Sequence, residues 1–257
     1  QDGIRDQPRS RGLGDVYKRQ LWVKPPQIKV DWKIFYGYGG GYVSGSPFED
    51  LTIAVPLAAE TGAEVVIPHY RLAPESPWPA AIDDGFSVFK EMSSEPLAFV
   101  GESAGGNLCL TLILRAFQLG IRLPQAAAFL SPWCDLSNAG PSVVNNDGRD
   151  PALSAQHIDF AANYYVGEHN PTNPMISPIY GVFDKSFPPS IITTGSRDLL
   201  MSQAMGLRDV LRDNNVPVEL CLWKDLWHVF EWDYRLPESS ESIRQISNWL
   251  QRYMPNF

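Results

Sequence analysis

The residues of this chain best able to do chemistry gather around one serine. Gly101-Glu102-Ser103-Ala104-Gly105-Gly106 has the spacing G-x-S-x-G, in which a hydroxyl is presented on a tight turn between a strand and a helix. At ordinary Gly and Ser frequencies such a match arises by chance in roughly one chain in ten of this length, so the spacing alone is weak. The plain structural alternative is a serine that caps a helix. As a nucleophile, Ser103 would need an imidazole within hydrogen-bond reach, and the imidazole would need an acceptor for its other nitrogen.

Four histidines compete for the base. His69 ends an early apolar run, and His157 and His169 lie in an irregular stretch. His228, in Trp227-His228-Val229-Phe230, follows the last apolar run and precedes the closing helical pattern. That is where a base belongs if the chain order is serine, acid, histidine. For the acid, Asp198 stands just after the run SIITTG, in Gly195-Ser196-Arg197-Asp198. Asp209 and Asp213 read as solvated helix residues, and Asp225 is close to His228 along the same loop.

Tyr38-Gly39-Gly40-Gly41-Tyr42 follows the first apolar run. Three glycines leave backbone amides uncovered, and Gly39 and Gly40, with Ala104, are the expected donors to an oxyanion. A phosphate cradle would need G-x-x-x-x-G-K-[ST], and no Lys stands here.

Stepping outward, these residues need strand ends to hold them on one edge. WKIFYGY, AEVVIPHY, LAFVG, AAAFLSP, SIITTG and VELCLW are short apolar runs bounded by turn residues. Helical patterns separate them: LTIAVPLAAETG, PAAIDDGFSVFKEMSS, GNLCLTLILRAFQLG and AMGLRDVLRDNN, with ESIRQISNWLQRYM closing the chain. Alternation of this kind predicts an α/β fold with a mainly parallel sheet flanked by helices. Residues 137–188 break the rhythm around one helical stretch, AQHIDFAANYYVG, and are expected to form an insertion over the site. The opening QDGIRDQPRSRGLGDVYKRQ has no periodicity and resembles translated adapter read-through, so residues 1–20 are expected to be a disordered, non-native leader.

A length of 257 residues with 44% apolar content suits one domain, here residues 21–257. The formal charge of −8 argues against nucleic acid or an anionic membrane surface as partner. No apolar run is long enough for a membrane span. Cys109, Cys134 and Cys221 form no close pair, which suits a reducing cytoplasm and suggests no metal site.

Taken together, these residues resemble the hormone-sensitive-lipase-like family of α/β-hydrolase esterases, from about Trp32 to the end. Besides GESAGGNL, the resemblance rests on YRLAPESPWPAAIDD at 70–84, SPWCDLS at 131–137 and DLWHVF at 225–230. It implies the α/β-hydrolase fold with a helical cap, and hydrolysis of short- to medium-chain carboxyl esters without cofactor or metal. It also implies a small-molecule ester as partner and a homodimer paired through VELCLW at 218–223. Two departures stand out. Tyr38 replaces the histidine that normally opens the glycine motif, and only Leu21 to Asp31 separate the suspect leader from the first clear strand, where the family has cap helices and further strands. A weakened but active enzyme with an open acyl pocket is the expectation. A catalytically silent binding protein on the same scaffold and an amidase remain the alternatives, and the intact set of Ser103, Asp198 and His228 is what speaks against silence.

Overall fold

A computed structural model describes residues 4–6 and 20–255. Among the described residues, eight strands form one sheet: β1 (Ile4–Asp6), β2 (Gln20–Val23), β3 (Lys33–Gly37), β4 (Glu64–Pro68), β5 (Leu97–Glu102), β6 (Ala126–Leu130), β7 (Ser190–Gly195) and β8 (Val218–Trp223), in the order β1-β2-β4-β3-β5-β6-β7-β8. The run from β4 to β8 is parallel, while β2 lies antiparallel to β4 and β1 antiparallel to β2. All six apolar runs of the sequence are strands. Those in the middle, β5, β6 and β7, are buried at every residue, because helices cover a parallel sheet on both faces. At the edge, β8 is only partly covered.

The two strands before Trp32 were not expected. β2 alternates half-buried and buried residues and places only Leu21 and Val23 inward, too brief a pattern for periodicity to reveal. Lys24 then reaches Glu64 at 2.7 Å. β1 falls within the stretch read as a disordered leader, and the remainder of that stretch before Gln20 lies outside the described residues.

The helices that flank the sheet are α1 (Leu51–Thr61), α2 (Ala80–Met92), α3 (Ser103–Gln118), α6 (Met201–Asp213) and α7 (Pro237–Tyr253). α1 packs beside α7, and α2 beside α3. Residues 137–188 carry α4 (Pro141–Asn145), α5 (Ala155–Val166) and a 3-10 turn at Pro178–Tyr180. α5 starts where Ser154 accepts the His157 N–H at 3.3 Å, a side-chain N-cap.

The topology decides where chemistry can sit. From β3 the chain crosses to β4 on one side, then returns to β5 on the other. The carboxyl ends of the adjacent strands β3 and β5 therefore open a crevice at a topological switch point. Gly37 pairs in register with Gly101, so the glycine loop and Ser103 leave the sheet side by side.

Candidate active site

Ser103 is the first residue of α3 and follows β5 without a linker. Its φ is 51°, in the left-handed region that costs a non-glycine residue free energy unless its surroundings enforce it. Packing enforces it here. A Cβ at Gly105 would run into the Gly37 and Tyr38 carbonyls, and one at Gly101 would meet the Gly105 carbonyl and the Cys109 Sγ. Backbone thus lies on backbone, and the loop after β3 is pressed against the turn that bears the serine.

The Ser103 hydroxyl lies 3.0 Å from His228 Nε2, and His228 Nδ1 lies 3.0 Å from Asp198 Oδ1. Ionised carboxylates only accept, so the Nδ1–H donates to Asp198, leaving Nε2 to accept from the serine. Asp198 is fixed in turn by the Leu200 N–H on Oδ1 and the Thr194 hydroxyl on Oδ2, each at 2.8 Å. All three side chains are buried or nearly so. Burial alone would raise the Asp198 pKa, but the His228 charge and hydrogen bonds from His228, Ser131 and Leu200 outweigh it and hold it below the usual carboxylate value. For His228 burial favours the neutral ring, yet Asp198, then Asp150 and Glu231, raise its pKa above the ordinary 6.5. The pair therefore stabilises an imidazolium, the state a general base passes through.

The competing residues lie elsewhere. His69 is exposed, and His169 is exposed against the edge of Trp78. Asp225 pairs with Arg197 at the surface, and Asp209 and Asp213 pair with neighbouring arginines. His157 stands at the rim of the site cavity.

That cavity, about 190 Å³, is bounded by Gly40, Gly41, Ser103, Trp133 and His228, with Ala152, Leu153 and Ile158 closing it from the insertion. Of the expected oxyanion donors, Gly40 reaches it and Ala104 is buried directly after Ser103. Gly39 does not reach it. Its α-carbon is packed against the Glu102 carboxyl, while Gly41 lines the cavity beside Gly40. Three consecutive glycines give no hint of which of them lines the cavity.

Asp50 and Glu102 form a buried pair behind the loop. Burial raises the Glu102 pKa well above normal, and Asp50 close by raises it further. Burial pushes Asp50 up to about 6, against hydrogen bonds from Glu102 and the Trp232 indole. Trp232 Nε1 donates to Asp50 Oδ1 at 3.0 Å. Tyr38, which opens the glycine loop, stacks on Tyr70 at 4.1 Å between ring centres. The Tyr70 hydroxyl donates to the Tyr38 carbonyl at 2.6 Å, and the Tyr38 hydroxyl donates to the Tyr70 carbonyl at 3.3 Å. An aromatic stack thus fastens the loop.

Sequence reasoning also missed Asp150. Its Oδ2 accepts the backbone N–H groups of His228 and Leu199 at 3.1 and 3.2 Å. No spacing signals a carboxylate in an irregular stretch that bonds only to backbone.

Known proteins resemble this chain in sequence and in fold. A family model described as the alpha/beta hydrolase fold matches residues 34–232. An acetyl-hydrolase of Streptomyces hygroscopicus is 31% identical over 237 residues, which are 90% of this chain and 78% of that protein. A crystal structure of an esterase from the bacterial hormone-sensitive lipase family superposes with a TM-score of 0.89 at 29% identity, covering 98% of this chain and 86% of that one. The structure of EstE5 soaked with p-nitrophenyl butyrate gives a TM-score of 0.90 at 27% identity, with the same coverage. The chain belongs to the α/β-hydrolase family, in its hormone-sensitive-lipase-like branch. Within that class it is an esterase, a serine carboxylester hydrolase.

Proposed function

We propose that this esterase cleaves short- to medium-chain acyl esters of small molecules through an acyl-enzyme, with Ser103 as nucleophile, His228 as general base and Asp198 as the acid that orients it. The observation that carries the reading is the continuous relay from the Ser103 hydroxyl through His228 to Asp198, with both steps at 3.0 Å. Ser103 Oγ attacks the acyl carbon while its proton passes to His228 Nε2. The resulting oxyanion is met by the amides of Gly40, Gly41 and Ala104, at the positive end of α3. Collapse returns the proton from Nε2 to the departing alkoxide and leaves the acyl group on Oγ. Water then attacks the acyl-enzyme with His228 again as base, and the acid leaves.

Two features support the chain-length range. The cavity at Ser103 is small, and a wider apolar groove of about 680 Å³, lined by Val43, Pro74, Phe160 and Tyr164, adjoins it through Ser44 and His157. Short acyl groups fit the first space, and longer ones extend into the second. Among the described residues no helix is long and apolar enough to cross a membrane. The free thiols of Cys109 and Cys134, both fully buried, favour a reducing, cytoplasmic setting. β8 lies at the sheet edge, and we assign it as the seam of a homodimer, which light scattering would refute by finding a monomer.

The test is hydrolysis of p-nitrophenyl esters from acetate to decanoate by the folded chain and its Ser103→Ala variant. Loss of at least about 10⁴-fold in kcat is expected, since members of such a set act as a unit. A Ser103→Ala variant that keeps the wild-type rate would sink the mechanism. The acid limb of kcat/KM is expected above pH 6.5, in keeping with the raised His228 pKa.

A further inference from the structure

Asp150 belongs to the insertion, in Asp147-Gly148-Arg149-Asp150-Pro151, yet it reaches both loops that carry the base and the acid. One carboxylate, 7% exposed, accepts four backbone N–H groups. Oδ2 takes those of Leu199 at 3.2 Å and His228 at 3.1 Å. Oδ1 takes those of Ala152 at 2.8 Å and Leu153 at 3.2 Å. The bonds on Oδ1 are a local turn of the kind many Asp residues make. Those on Oδ2 span 49 and 78 residues of sequence and have no local explanation. Leu199 follows Asp198 directly, His228 carries the imidazole itself, and Ala152 and Leu153 line the site cavity.

Loop amides have no ladder partner, and a buried N–H left unpaired opposes folding of the loop that bears it. The acid loop after β7, the base loop after β8 and the cavity wall thus share a single acceptor. Its charge acts as well. Burial raises the Asp150 pKa, while the His228 charge, then the Ala152 and Leu199 amides, oppose the rise and Asp198 adds to it. In return, the groups that raise the His228 pKa are Asp198, Asp150 and Glu231.

We propose that Asp150 is a positioning residue for ester hydrolysis: it sets His228 and Asp198 relative to Ser103, and it makes the insertion a necessary part of the site rather than a cover over it. The proposal rests on the roles given above to Ser103, His228 and Asp198.

Asp150→Asn and Asp150→Glu separate geometry from charge. Asn has one acceptor oxygen, so its NH₂ group faces two N–H donors. Its kcat/KM on p-nitrophenyl acetate is expected to fall about 10- to 100-fold, chiefly in kcat, as for the loss of hydrogen bonds to a charged group. Because the negative charge is gone, the acid limb of kcat/KM is expected at lower pH than in the wild type, a shift that a purely structural role would not produce. Glu keeps the charge but lies one methylene too far out, so kcat falls while the limb stays in place. A folded Asn variant with wild-type kcat and an unmoved limb overturns the proposal. So does a loss of kcat that vanishes on correction for the folded fraction with the limb unmoved. If the Asn variant does not fold, the Glu variant decides: wild-type kcat overturns the proposal, and a reduced kcat at an unmoved limb supports it. Ser103→Ala assayed alongside keeps the two claims apart. Activity retained there removes the underlying mechanism, whereas an inactive Ser103→Ala beside a wild-type-like Asp150→Asn removes only the positioning role.

Discussion

The turn that bears Ser103 and the insertion that bears Asp150 hold parts of one site by different means. At the turn, backbone lies on backbone: Gly37, Gly101 and Gly105 meet without side chains between them, and Ser103 is kept at positive φ by that contact. In the insertion, polar side chains clasp distant backbone. Asp150 holds four amides, and Asn146 Nδ2 donates to the Asp198 carbonyl at 2.8 Å. From the core side, Asn107 Nδ2 donates to the Trp133 and Ile176 carbonyls, both at 2.9 Å, and its Oδ1 accepts the Tyr42 hydroxyl at 2.8 Å. The contrast separates two tasks. A nucleophile on a strained turn needs rigidity, which close backbone packing supplies, while a wall assembled from irregular chain needs its buried amides and carbonyls satisfied one by one.

Substitutions that attack each means sharpen the contrast. The largest effect on stability is expected at the turn. Gly105→Ala drives a methyl into two backbone carbonyls that cannot move independently, and should cost about 3 kcal/mol or more with loss of activity. A denaturant midpoint unchanged from wild type would show that the turn has slack. Asn107→Ala leaves two buried carbonyls without a donor and is expected to cost about 2 kcal/mol. Far-UV signal should persist while the insertion becomes more open to proteolysis, and uniform loosening of the whole chain would contradict its role as a local clasp.

The smallest effect concerns Asp50, behind the glycine loop. Its folded pKa is raised to about 6, chiefly by burial, so the folded state binds this proton more tightly than the unfolded chain. The contribution to stability is fully present below the ordinary value of 3.8 and is lost as pH rises through about 6. Against Asp50→Asn, the wild type should therefore lose relative stability between pH 4 and 7, by up to about 2 kcal/mol. Thermal melts of the two proteins at both pH values measure it. A stability difference independent of pH would mean that the carboxyl pair does not hold its proton as described.

How much of this was open to sequence reading depended on the range of each interaction. Ser103 was legible because its signal is local: a buried strand, a glycine-flanked turn and an apolar helix within about twenty residues. Asp198 and His228 were legible through chain order, since each follows a recognisable strand. β2 was missed because only Leu21 and Val23 face inward. That Gly41 and not Gly39 lines the cavity was hidden because identical glycines differ only in what surrounds them. Asp150 and Asn107 were hidden because their partners are remote in sequence and are mostly backbone, which any residue type provides.

By itself, then, the sequence determined the alternation of strands and helices, the chain order of Ser103, Asp198 and His228 at successive strand ends, and the family to which the chain belongs. These follow from hydrophobic periodicity and steric rules that act over a few residues. Only the tertiary structure decided which glycines line the cavity, how Tyr38 is fastened, and that a carboxylate from the insertion joins the loops of Asp198 and His228. Those outcomes depend on which polar groups are buried together, and burial is a property of the folded whole.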